Sequence, residues 1–327
     1  MDRPVAISTQ GLTKRYGPIL ALDGLDLEVP TGSITGLLGP SGSGRTTVLR
    51  LLAGLARPTS GSAVVAGVRL DDGHGVQVRR RIGVLPASDG IYEWMSGREQ
   101  VSFAAELAGI PRTEIPDRVT GVLERVGLGV LADARTPIYD LAQRRRLGLA
   151  QALIGDPEVL LLDDPVSSLD PATRTELLGI VGALRDRATV LLSTAEPAHV
   201  EAVCDRVAVL EGGRLVVAAR VDALLGGISG TTYLITVERT AGLAFAGLVA
   251  RLGGEPWVRS VEADGLVLRV SVRDDVRAGR ELLPEIVATG LPIASFRRER
   301  PTLADAVREL SGREAAGREP ATTEPVA

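Results

Sequence analysis

The residue types and spacing at positions 39–47 are those of a loop that binds phosphate. The run reads Gly-Pro-Ser-Gly-Ser-Gly-Arg-Thr-Thr, so four residues separate Gly39 from Gly44, and a basic residue and a threonine follow. In such a loop the glycines let successive backbone N–H groups turn towards the phosphates. The helix that follows points its positive end at the same anion. The spacing therefore predicts a nucleotide-binding site.

The basic residue of this run is Arg45, where the phosphate-loop mechanism calls for lysine. A guanidinium is larger than an ammonium group, planar and forked, so the exchange is not conservative at a tight site. The chain uses arginine almost throughout, and Lys14 is its only lysine. This bias explains how Arg45 arose but does not restore the geometry of lysine. We therefore expect nucleotide binding to survive the exchange better than catalysis does.

The elements around this run occur in the order that a phosphate loop requires: a buried strand, the glycine loop and then a helix. Two further continuous apolar runs are typical of parallel strands that are covered on both faces. We therefore predict an α/β fold with a mostly parallel sheet core. The predicted strands cover 5–10, 23–29, 33–38, 159–162 and 188–193, and helices cover 46–55 and much of 91–155.

The pattern changes after about residue 226. The run Gly-Gly-Ile-Ser-Gly at 226–230 predicts a linker. From 231 to 311 the order strand, helix, two strands, helix, strand and helix predicts a small α+β module of the split βαββαβ type. The composition of 312–327, rich in Ala, Glu, Pro and Thr, predicts a disordered tail. The module elements are expected at 233–238, 241–252, 258–262, 265–272, 278–288, 293–297 and 302–310.

Length and composition exclude several classes of protein. The chain has 327 residues, 45% of them hydrophobic, and one cysteine, Cys204, which fits a reducing compartment. No apolar run approaches the ~18 residues that span a bilayer, and the N-terminus lacks the apolar core of a signal peptide. We expect a cytoplasmic protein whose membrane role depends on a partner. The net charge of −4 argues against nucleic-acid binding, and we interpret the arginines at 79–81 and 144–146 as solvated or ion-paired helix faces.

A series of segments along residues 7–225 has a characteristic order. The segments are Lys14-Arg-Tyr-Gly, 39–47, Ile82-Gly-Val-Leu-Pro, Tyr139-Asp-Leu-Ala-Gln, 159–164, Ser167-Ser-Leu-Asp and Leu191-Leu-Ser-Thr-Ala. Together they resemble the ATP-binding cassette family, in particular the nucleotide-binding subunits of exporters for drugs and antibiotic peptides. The resemblance implies a core of the P-loop NTPase type with an antiparallel β subdomain and a helical subdomain at about 88–155, all within a cassette domain over 1–226. It also relates the module at 231–311 to the accessory domain of this exporter branch.

The groups that would hold nucleotide are largely present. The resemblance implies that Tyr16 stacks on adenine and that backbone N–H groups of 42–46 bind the phosphates. It also implies that Mg²⁺ arrives with ATP and is held by Thr46 and by Asp163, the latter through a water molecule. The expected ATP-binding residues are Tyr16, Gly39, Ser41, Gly42, Ser43, Gly44, Arg45, Thr46 and Thr47.

The groups that would drive hydrolysis are altered. The glutamine that would meet Mg²⁺ is Ala87, and the histidine that would contact the terminal phosphate is Ala195. The glutamate that would polarise the attacking water is Asp164, which is one methylene shorter. A misplacement of about 1 Å can cost about a hundredfold in rate. We therefore expect Asp164 to be a weak catalytic base.

The signature segment and the dimer contacts also differ from the family pattern. The signature residues that would face the ATP of a partner subunit are Asp140, Leu141, Ala142 and Gln143, and Asp170 is the expected dimer contact. Asp140 stands where a serine would donate to the γ-phosphate, and a carboxylate there would repel the phosphate oxygens. In a head-to-tail pair of subunits, these changes would weaken the site that uses this signature.

Alternatives in which the altered residues still function stay open at this point. Arg45 could still contact phosphate, Asp164 could still act as a base, and His199 could swing in from the next turn to replace Ala195. We expect His199 on the surface, because it lies on a helix that follows Pro197. Tyr16 could instead be a loop aromatic that fills a crevice of the core.

The combination predicts the ATP-binding subunit of a membrane exporter with impaired or absent hydrolysis of its own. We expect it on the inner face of the cell membrane, bound to an integral membrane permease and to a second cassette subunit. A heteromer is favoured over a homodimer, since a homodimer would contain two doubly impaired sites. The segment 87–99, with Trp94, would face the permease. The alternative is a non-hydrolysing regulatory or scaffold protein that senses ATP, and a soluble cassette protein acting on ribosomes or DNA is disfavoured by the acidic charge.

Overall fold

The computed structural model describes residues 3–70, 75–88, 90–227, 231–238, 242–299 and 302–308. The chain divides into two compact units, with the division between Val221 and Asp222. The predicted tail at 312–327 and the last part of the predicted linker, 228–230, lie outside the described residues. Gly226 and Gly227, the first part of that linker, are the last residues of a helix, Val221–Gly227.

The strands and helices of the first unit include those that build the predicted site. The strands are β1 (Val5–Tyr16), β2 (Ile19–Leu25), β3 (Glu28–Pro30), β4 (Ile34–Leu38), β5 (Ser60–Val65), β6 (Val68–Arg69), β7 (Ile82–Leu85), β8 (Val159–Asp163), β9 (Thr189–Thr194), β10 (Arg206–Glu211) and β11 (Arg214–Arg220). The helices are α1 (Arg45–Leu52), α2 (Gly75–Arg79), α3 (Gly97–Leu107), α4 (Ile115–Arg125), α5 (Leu141–Leu153), α6 (Pro171–Gly182) and α7 (Pro197–Val203). The helix α8 (Val221–Gly227) follows them.

The central sheet has the strand order β11-β10-β4-β9-β8-β7. The strands from β10 to β7 are parallel, and β11 is antiparallel at the edge. Every residue of β4, β8 and β9 is buried, as expected for parallel strands covered on both faces. Helix α1 contacts β8 and β9, and α7 contacts β4 and β9. The mixed α/β fold with a mostly parallel core is confirmed.

A second sheet in this unit is antiparallel, with the order β2-β1-β5-β6 and with β3 paired to β1. The single strand expected at 23–29 is wrong, because β2 ends at Leu25 and β3 begins at Glu28. Between them, the Asp26 carboxylate accepts a hydrogen bond from the Gly11 backbone N–H, with an N–O distance of 2.6 Å. This contact fixes the break in the strand.

The helical segment between β7 and β8 contains α3, α4 and α5, which pack on one another. Helix α3 begins at a capping box in which Ser96 and Glu99 bind each other's backbone N–H groups. Helix α4 buries Val119 and Leu123 on one face. These contacts hold the start of α5, where the predicted signature lies.

The second unit has one antiparallel sheet, and residues of two helices share a core with it. Its strands are β12 (Thr232–Val237), β13 (Val258–Asp264), β14 (Val267–Val272) and β15 (Ile293–Glu299), in the order β13-β14-β12-β15, and its helices are α9 (Gly242–Gly254) and α10 (Asp275–Val287). The core includes Ile235, Leu252, Trp257 and Leu282. A further helix covers 303–308, where Asp305 pairs with Arg269 across 3.6 Å. The element order is that of a split βαββαβ unit.

The described part of the chain contains no helix that is both long enough and apolar enough to cross a bilayer.

Candidate functional site

The loop at 39–44 connects the buried strand β4 to α1 and approaches neighbouring backbone closely. A Cβ on Gly39 would lie 2.2 Å from the carbonyl oxygen of Leu210 and 2.6 Å from Ser43 Oγ. Gly44 has φ +102°, and a Cβ there would lie 2.7 Å from the carbonyl oxygen of Ala21. Only glycine fits at both positions. The loop is therefore a backbone structure whose shape depends on these two glycines.

The start of α1 offers hydrogen-bond donors to an anion. Gly44 is the N-cap and provides no side-chain cap, and the first turn carries no acidic residue. Ser43 Oγ is buried and has no hydrogen-bond partner among the described residues. Uncapped N–H groups and a buried hydroxyl are the groups that phosphate oxygens would satisfy. The site therefore fits a nucleotide phosphate.

Arg45 folds back onto the loop that precedes it. Its Nη1 donates to the carbonyl oxygen of Pro40 across 2.9 Å. Its Nε is buried and has no partner within the described part of the chain. The guanidinium therefore rests on the loop with one donor still unsatisfied, and a phosphate could satisfy that donor only if the planar group fits beside it.

The end of β8 places two carboxylates next to the end of β9. Ser193 Oγ donates to Asp163 Oδ1 across 2.6 Å. The Asp164 backbone N–H donates to both Ser193 O and Ser193 Oγ, each at 3.1 Å. Asp164 has φ +50°, a left-handed conformation that turns the chain sharply after the strand. Asp163 and Asp164 are therefore held at the same sheet edge as the glycine loop.

A magnesium ion bound together with nucleotide fits Asp163 and Thr46. Asp163 is buried, and its Oδ1 accepts a hydrogen bond from Ser193 Oγ. A carboxylate oxygen is a ligand that a hard divalent ion such as Mg²⁺ prefers. Thr46 lies in the first turn of α1, which follows the neighbouring glycine loop. These two residues would hold the ion, which would neutralise charge on the phosphates.

Asp164 has the electrostatic setting of a usable proton acceptor. Partial burial raises the pKa of its carboxyl above the ordinary value, and the charge of Asp163 acts in the same direction, while Arg45 and His199 oppose the shift. A carboxylate with a raised pKa is a better general base at neutral pH. The direction of this shift is compatible with the predicted role of Asp164 as a base, which stays a prediction.

Ala87 lies in a small cavity beside α1. The cavity has a volume of about 170 Å³ and is lined by Ala87, Ser88 and Asp163 among others. Ser88 brings a hydroxyl group to this cavity that the sequence interpretation did not consider. Arg145 contacts the loop that follows β7, because its Nη1 donates to the carbonyl oxygen of Pro86 across 3.4 Å. A larger cavity of about 580 Å³ lies at the other end of α1 and shares no residue with the glycine loop.

His199 is buried, so its expected position on the surface is wrong. Only 6% of the residue is exposed, and Nδ1 lies 2.9 Å from Thr194 Oγ1. Burial lowers the pKa of the imidazole, and the nearby Arg174 acts in the same direction. The sequence interpretation failed because the partner of His199 lies on β9 and not on its own helix. Ala195 itself is exposed and brings no polar side chain.

Tyr16 lies at the end of β1 and is 42% exposed, so the alternative that it fills a crevice of the core is wrong. Lys14 Nζ lies 4.9 Å from the centroid of its ring, a cation–π contact on one face. The ring is accessible for stacking on a base, which stays a prediction.

The signature segment forms the start of α5. Asp140 Oδ1 accepts from the Gln143 backbone N–H across 2.8 Å, and Gln143 Oε1 accepts from the Asp140 N–H across 3.0 Å. Leu141 and Asp140 are exposed, whereas Ala142 and Gln143 are half-buried. The carboxylate of Asp140 is therefore the cap of its own helix.

Two other sequence predictions concern charged groups of this unit. Asp170 caps α6 and accepts from the backbone N–H groups of Ala172 and Thr173. Arg146 pairs with Glu176, as expected for an ion-paired helix face. Arg145 is only 8% exposed, so of the two alternatives, a solvated or an ion-paired face, the solvated one does not apply to that residue. Its buried position follows from its contact with the loop after β7.

Comparison with known proteins gives consistent matches. A family model described as "ABC transporter" matches residues 22–167. The chain is 32% identical to the ABC transporter ATP-binding protein YxlF of Bacillus subtilis (strain 168), over 91% of this chain and 97% of that protein. It is 33% identical to the daunorubicin/doxorubicin resistance ATP-binding protein DrrA of Streptomyces peucetius, over 95% of this chain and 93% of that protein.

The solved structures that resemble the chain have the same fold. The dimeric structure of MJ0796, a bacterial ABC transporter cassette, superimposes with a TM-score of 0.61 at 24% identity, over 65% of this chain and 98% of that chain. The structure of cbiO1 from Clostridium perfringens gives a TM-score of 0.63 at 25% identity, over 69% of this chain and 92% of that chain.

Proposed function

We propose that this chain, which belongs to the family of ABC transporter ATP-binding proteins, binds Mg-ATP and by itself hydrolyses it slowly or not at all. The uncapped start of α1, the unpartnered Ser43 hydroxyl and the buried Asp163 support binding. The absence of polar side chains at Ala87 and Ala195 supports weak hydrolysis. The transporter would be of the exporter type, as the names of several relatives, DrrA among them, suggest.

The capping of α5 by Asp140 is the observation that carries the proposal of impaired hydrolysis. A helix N-terminus that faces phosphate needs donors and a positive dipole end. Here a carboxylate occupies that end and binds the Gln143 N–H. In the head-to-tail pair that the family resemblance implies, this end would face the ATP of the partner subunit. The carboxylate would repel that γ-phosphate and weaken closure of the pair.

The positions of the substitutions favour a heteromer over a homodimer. One chain carries both the altered phosphate-side groups, such as Ala195, and the altered signature. A homodimer would therefore contain two sites with both defects. Pairing with an intact cassette subunit would place one defect in each site. The site that uses the partner's phosphate loop would keep its base and would be the better candidate for residual hydrolysis.

The experiment that tests this proposal compares ATPase rates of the pure chain, of the chain with its permease, and of both with an intact cassette subunit. We expect measurable turnover only when the intact subunit is present, and Asp164→Ala should leave that rate nearly unchanged. Turnover in the mixture that disappears with Asp164→Ala would contradict the assignment of hydrolysis to the other site.

An exposed aromatic cluster supports a permease as partner. Tyr92 and Trp94 have ring centroids 5.1 Å apart, and Tyr92 and Phe103 have centroids 6.2 Å apart. Trp94 is 65% exposed, and exposed apolar patches of this kind mark protein contacts. The subunit would then lie at the inner face of the membrane through this contact.

Replacing Trp94 with alanine tests that surface. Loss of a hot-spot aromatic residue typically costs about 2 kcal/mol or more of binding free energy. Trp94→Ala should therefore reduce co-purification with the permease at least about tenfold while the unfolding transition stays unchanged, because the side chain is exposed. The matched control is Leu107→Ala, which removes another exposed apolar side chain from the end of α3. Equal recovery of permease with wild type and Trp94→Ala would exclude this residue from the contact.

A non-hydrolysing ATP sensor is the second candidate. It is favoured by the observation that both halves of the site carry changes on one chain. Binding of Mg-ATP without turnover in every mixture with permease and cassette partners would support it and exclude the transporter motor.

A further inference from the structure

His199 is a buried histidine at the nucleotide site that the proposed function does not use. It lies in α7, and Nδ1 is 2.9 Å from Thr194 Oγ1. Its other ring nitrogen, Nε2, is buried and finds no hydrogen-bond partner among the residues that the structure describes. A buried polar atom without a partner is uncommon in a native protein and calls for an explanation.

Thr194, the partner of His199, is the last residue of β9 and touches the glycine loop. Its carbonyl oxygen accepts from the Gly39 backbone N–H across 3.3 Å, and it pairs with Leu38 in the sheet. The preceding residue, Ser193, binds Asp163. The end of β9 therefore connects the start of the phosphate loop to the acidic end of β8.

Two groups contact the hydroxyl group of Thr194. Thr194 Oγ1 accepts from the Glu196 N–H across 3.1 Å. It also lies 2.9 Å from His199 Nδ1, and the imidazole tautomer decides which of these two atoms donates. Both contacts hold the Thr194 side chain at the end of β9.

We propose that His199 is a positioning residue of the nucleotide site, which fixes Thr194 and through it the start of the phosphate loop. This inference rests on the proposed function, since it requires that the loop binds ATP. His199 acts through its contact with Thr194 Oγ1 and through the hydrogen bond from the Gly39 N–H to the Thr194 carbonyl oxygen. Ala195, four residues before His199, has no polar side chain. The loop begins in its binding shape because this contact is present before nucleotide arrives.

A purely structural histidine is the alternative explanation. Val200 and Val203 on α7 are buried apolar residues, and His199 could simply fill space beside them. Loss of packing would lower the stability of the chain without nucleotide and leave the affinity of the folded protein unchanged. Loss of positioning would lower nucleotide affinity in a protein that is still folded.

The test uses the full chain and three substitutions at His199. His199→Asn keeps a polar atom within reach of Thr194, His199→Gln moves its polar group further out, and His199→Leu keeps neither. Isothermal titration with Mg-ATP gives the affinity, and urea unfolding without nucleotide gives the stability. We expect the Kd to rise about tenfold for the Leu and Gln variants, the scale of one lost hydrogen bond. The Asn variant should stay within about twofold of wild type.

A second pair of variants separates the effect of the hydrogen bond between His199 and Thr194 from the effect of packing around α7. Thr194→Val is isosteric and removes the hydroxyl, so it should raise the Kd as His199→Leu does and add little in the double variant. Val200→Ala is the matched control, because it removes a buried methyl pair from the same helix and should lower stability without changing the Kd.

The outcomes discriminate between the claims. Unchanged Kd in all His199 variants, with Mg-ATP bound by wild type, would overturn the positioning role and leave the proposed function intact. A rise in Kd for Val200→Ala equal to that for His199→Leu would also overturn it, as a packing effect. Wild type that fails to bind Mg-ATP at all would instead contradict the proposed function.

Discussion

Two helix N-termini in this chain, those of α1 and α5, have opposite properties. The first begins at Gly44 with no side-chain cap and no acidic residue in its first turn. The second begins at Asp140, whose carboxylate and Gln143 close a capping box. A helix N-terminus attracts anions only while its donors and dipole are available. The comparison shows that one helix end leaves its donors uncapped, whereas a carboxylate caps the other, and under the proposed function these would be the ends that meet the chain's own nucleotide and that of a partner.

The largest effect is expected from a substitution that distorts the glycine loop before the uncapped N-terminus of α1. Gly39→Ala would place a Cβ 2.2 Å from the carbonyl oxygen of Leu210, which forces the loop to move. Overpacking of this kind costs about 1–3 kcal/mol, so Mg-ATP affinity should fall about ten- to a hundredfold by titration. The matched control is Gly179→Ala, on a helix where a Cβ meets nothing within 4 Å. Equal affinities of the two variants would show that the loop backbone does not bind the phosphates.

The next largest effect is expected from removing the negative charge at the N-terminus of α5. Asp140→Ser keeps an efficient N-cap and removes the charge, so the free energy of unfolding should change by less than about 1 kcal/mol. The closed pair with an intact cassette subunit should form at a lower ATP concentration, since the like-charge contact with phosphate is gone. Analytical ultracentrifugation of the pair against ATP concentration measures this.

The Asp140→Ala variant provides the control for that prediction. It removes the charge and the cap together, so it should also destabilise the chain by about 1 kcal/mol. If ATP-dependent pairing is the same for wild type and Asp140→Ser, the capped carboxylate does not limit closure, and the comparison of the two helix ends loses its functional meaning.

The smallest effect is the change with pH in the free energy of unfolding that His199 contributes. The pKa of His199 is lowered, chiefly by burial and then by Arg174, while Glu196 and Asp164 oppose the shift. Below the ordinary pKa of histidine, about 6.5, the unfolded chain therefore binds a proton that the folded chain does not. The stability contributed by the neutral imidazole is present above that pH and is lost as pH falls.

Urea unfolding from about pH 7.5 to about pH 5.5 measures this slope. Wild type should lose free energy of unfolding over this range, and His199→Asn should lose less. The other histidine, His74, lies outside the described residues and is present in both proteins, so its contribution cancels. Identical slopes would show that His199 does not titrate differently in the folded and unfolded chains.

The parts that the sequence predicted are those with local causes. The order of β4, the glycine loop and α1 follows from apolar runs and glycine spacing, and the structure places α1 at Arg45–Leu52, within a few residues of the expected 46–55. The repulsion of phosphate by Asp140 was expected from the family resemblance. The capping of α5 by Asp140 was not predicted, although it has a local signal, an acid three residues before Gln143.

The parts that the sequence missed depend on contacts between distant residues. The break between β2 and β3 is fixed by Asp26 and Gly11, and the burial of Arg145 by the loop after β7. His199 gave no signal, because a histidine after Pro197 on a short helix is ordinarily exposed. Only the position of Thr194 at the end of β9 explains why it is buried.

The measurement that tests the central claim most directly is made on the pure full chain, with Mg-ATP binding and phosphate release followed in the same sample. The account predicts saturable binding together with turnover at least about a hundredfold below that of an intact cassette subunit. Asp164→Ala should leave the binding unchanged. Rapid phosphate release by the pure chain that is abolished in Asp164→Ala would contradict the account, because the altered site would then be catalytically complete.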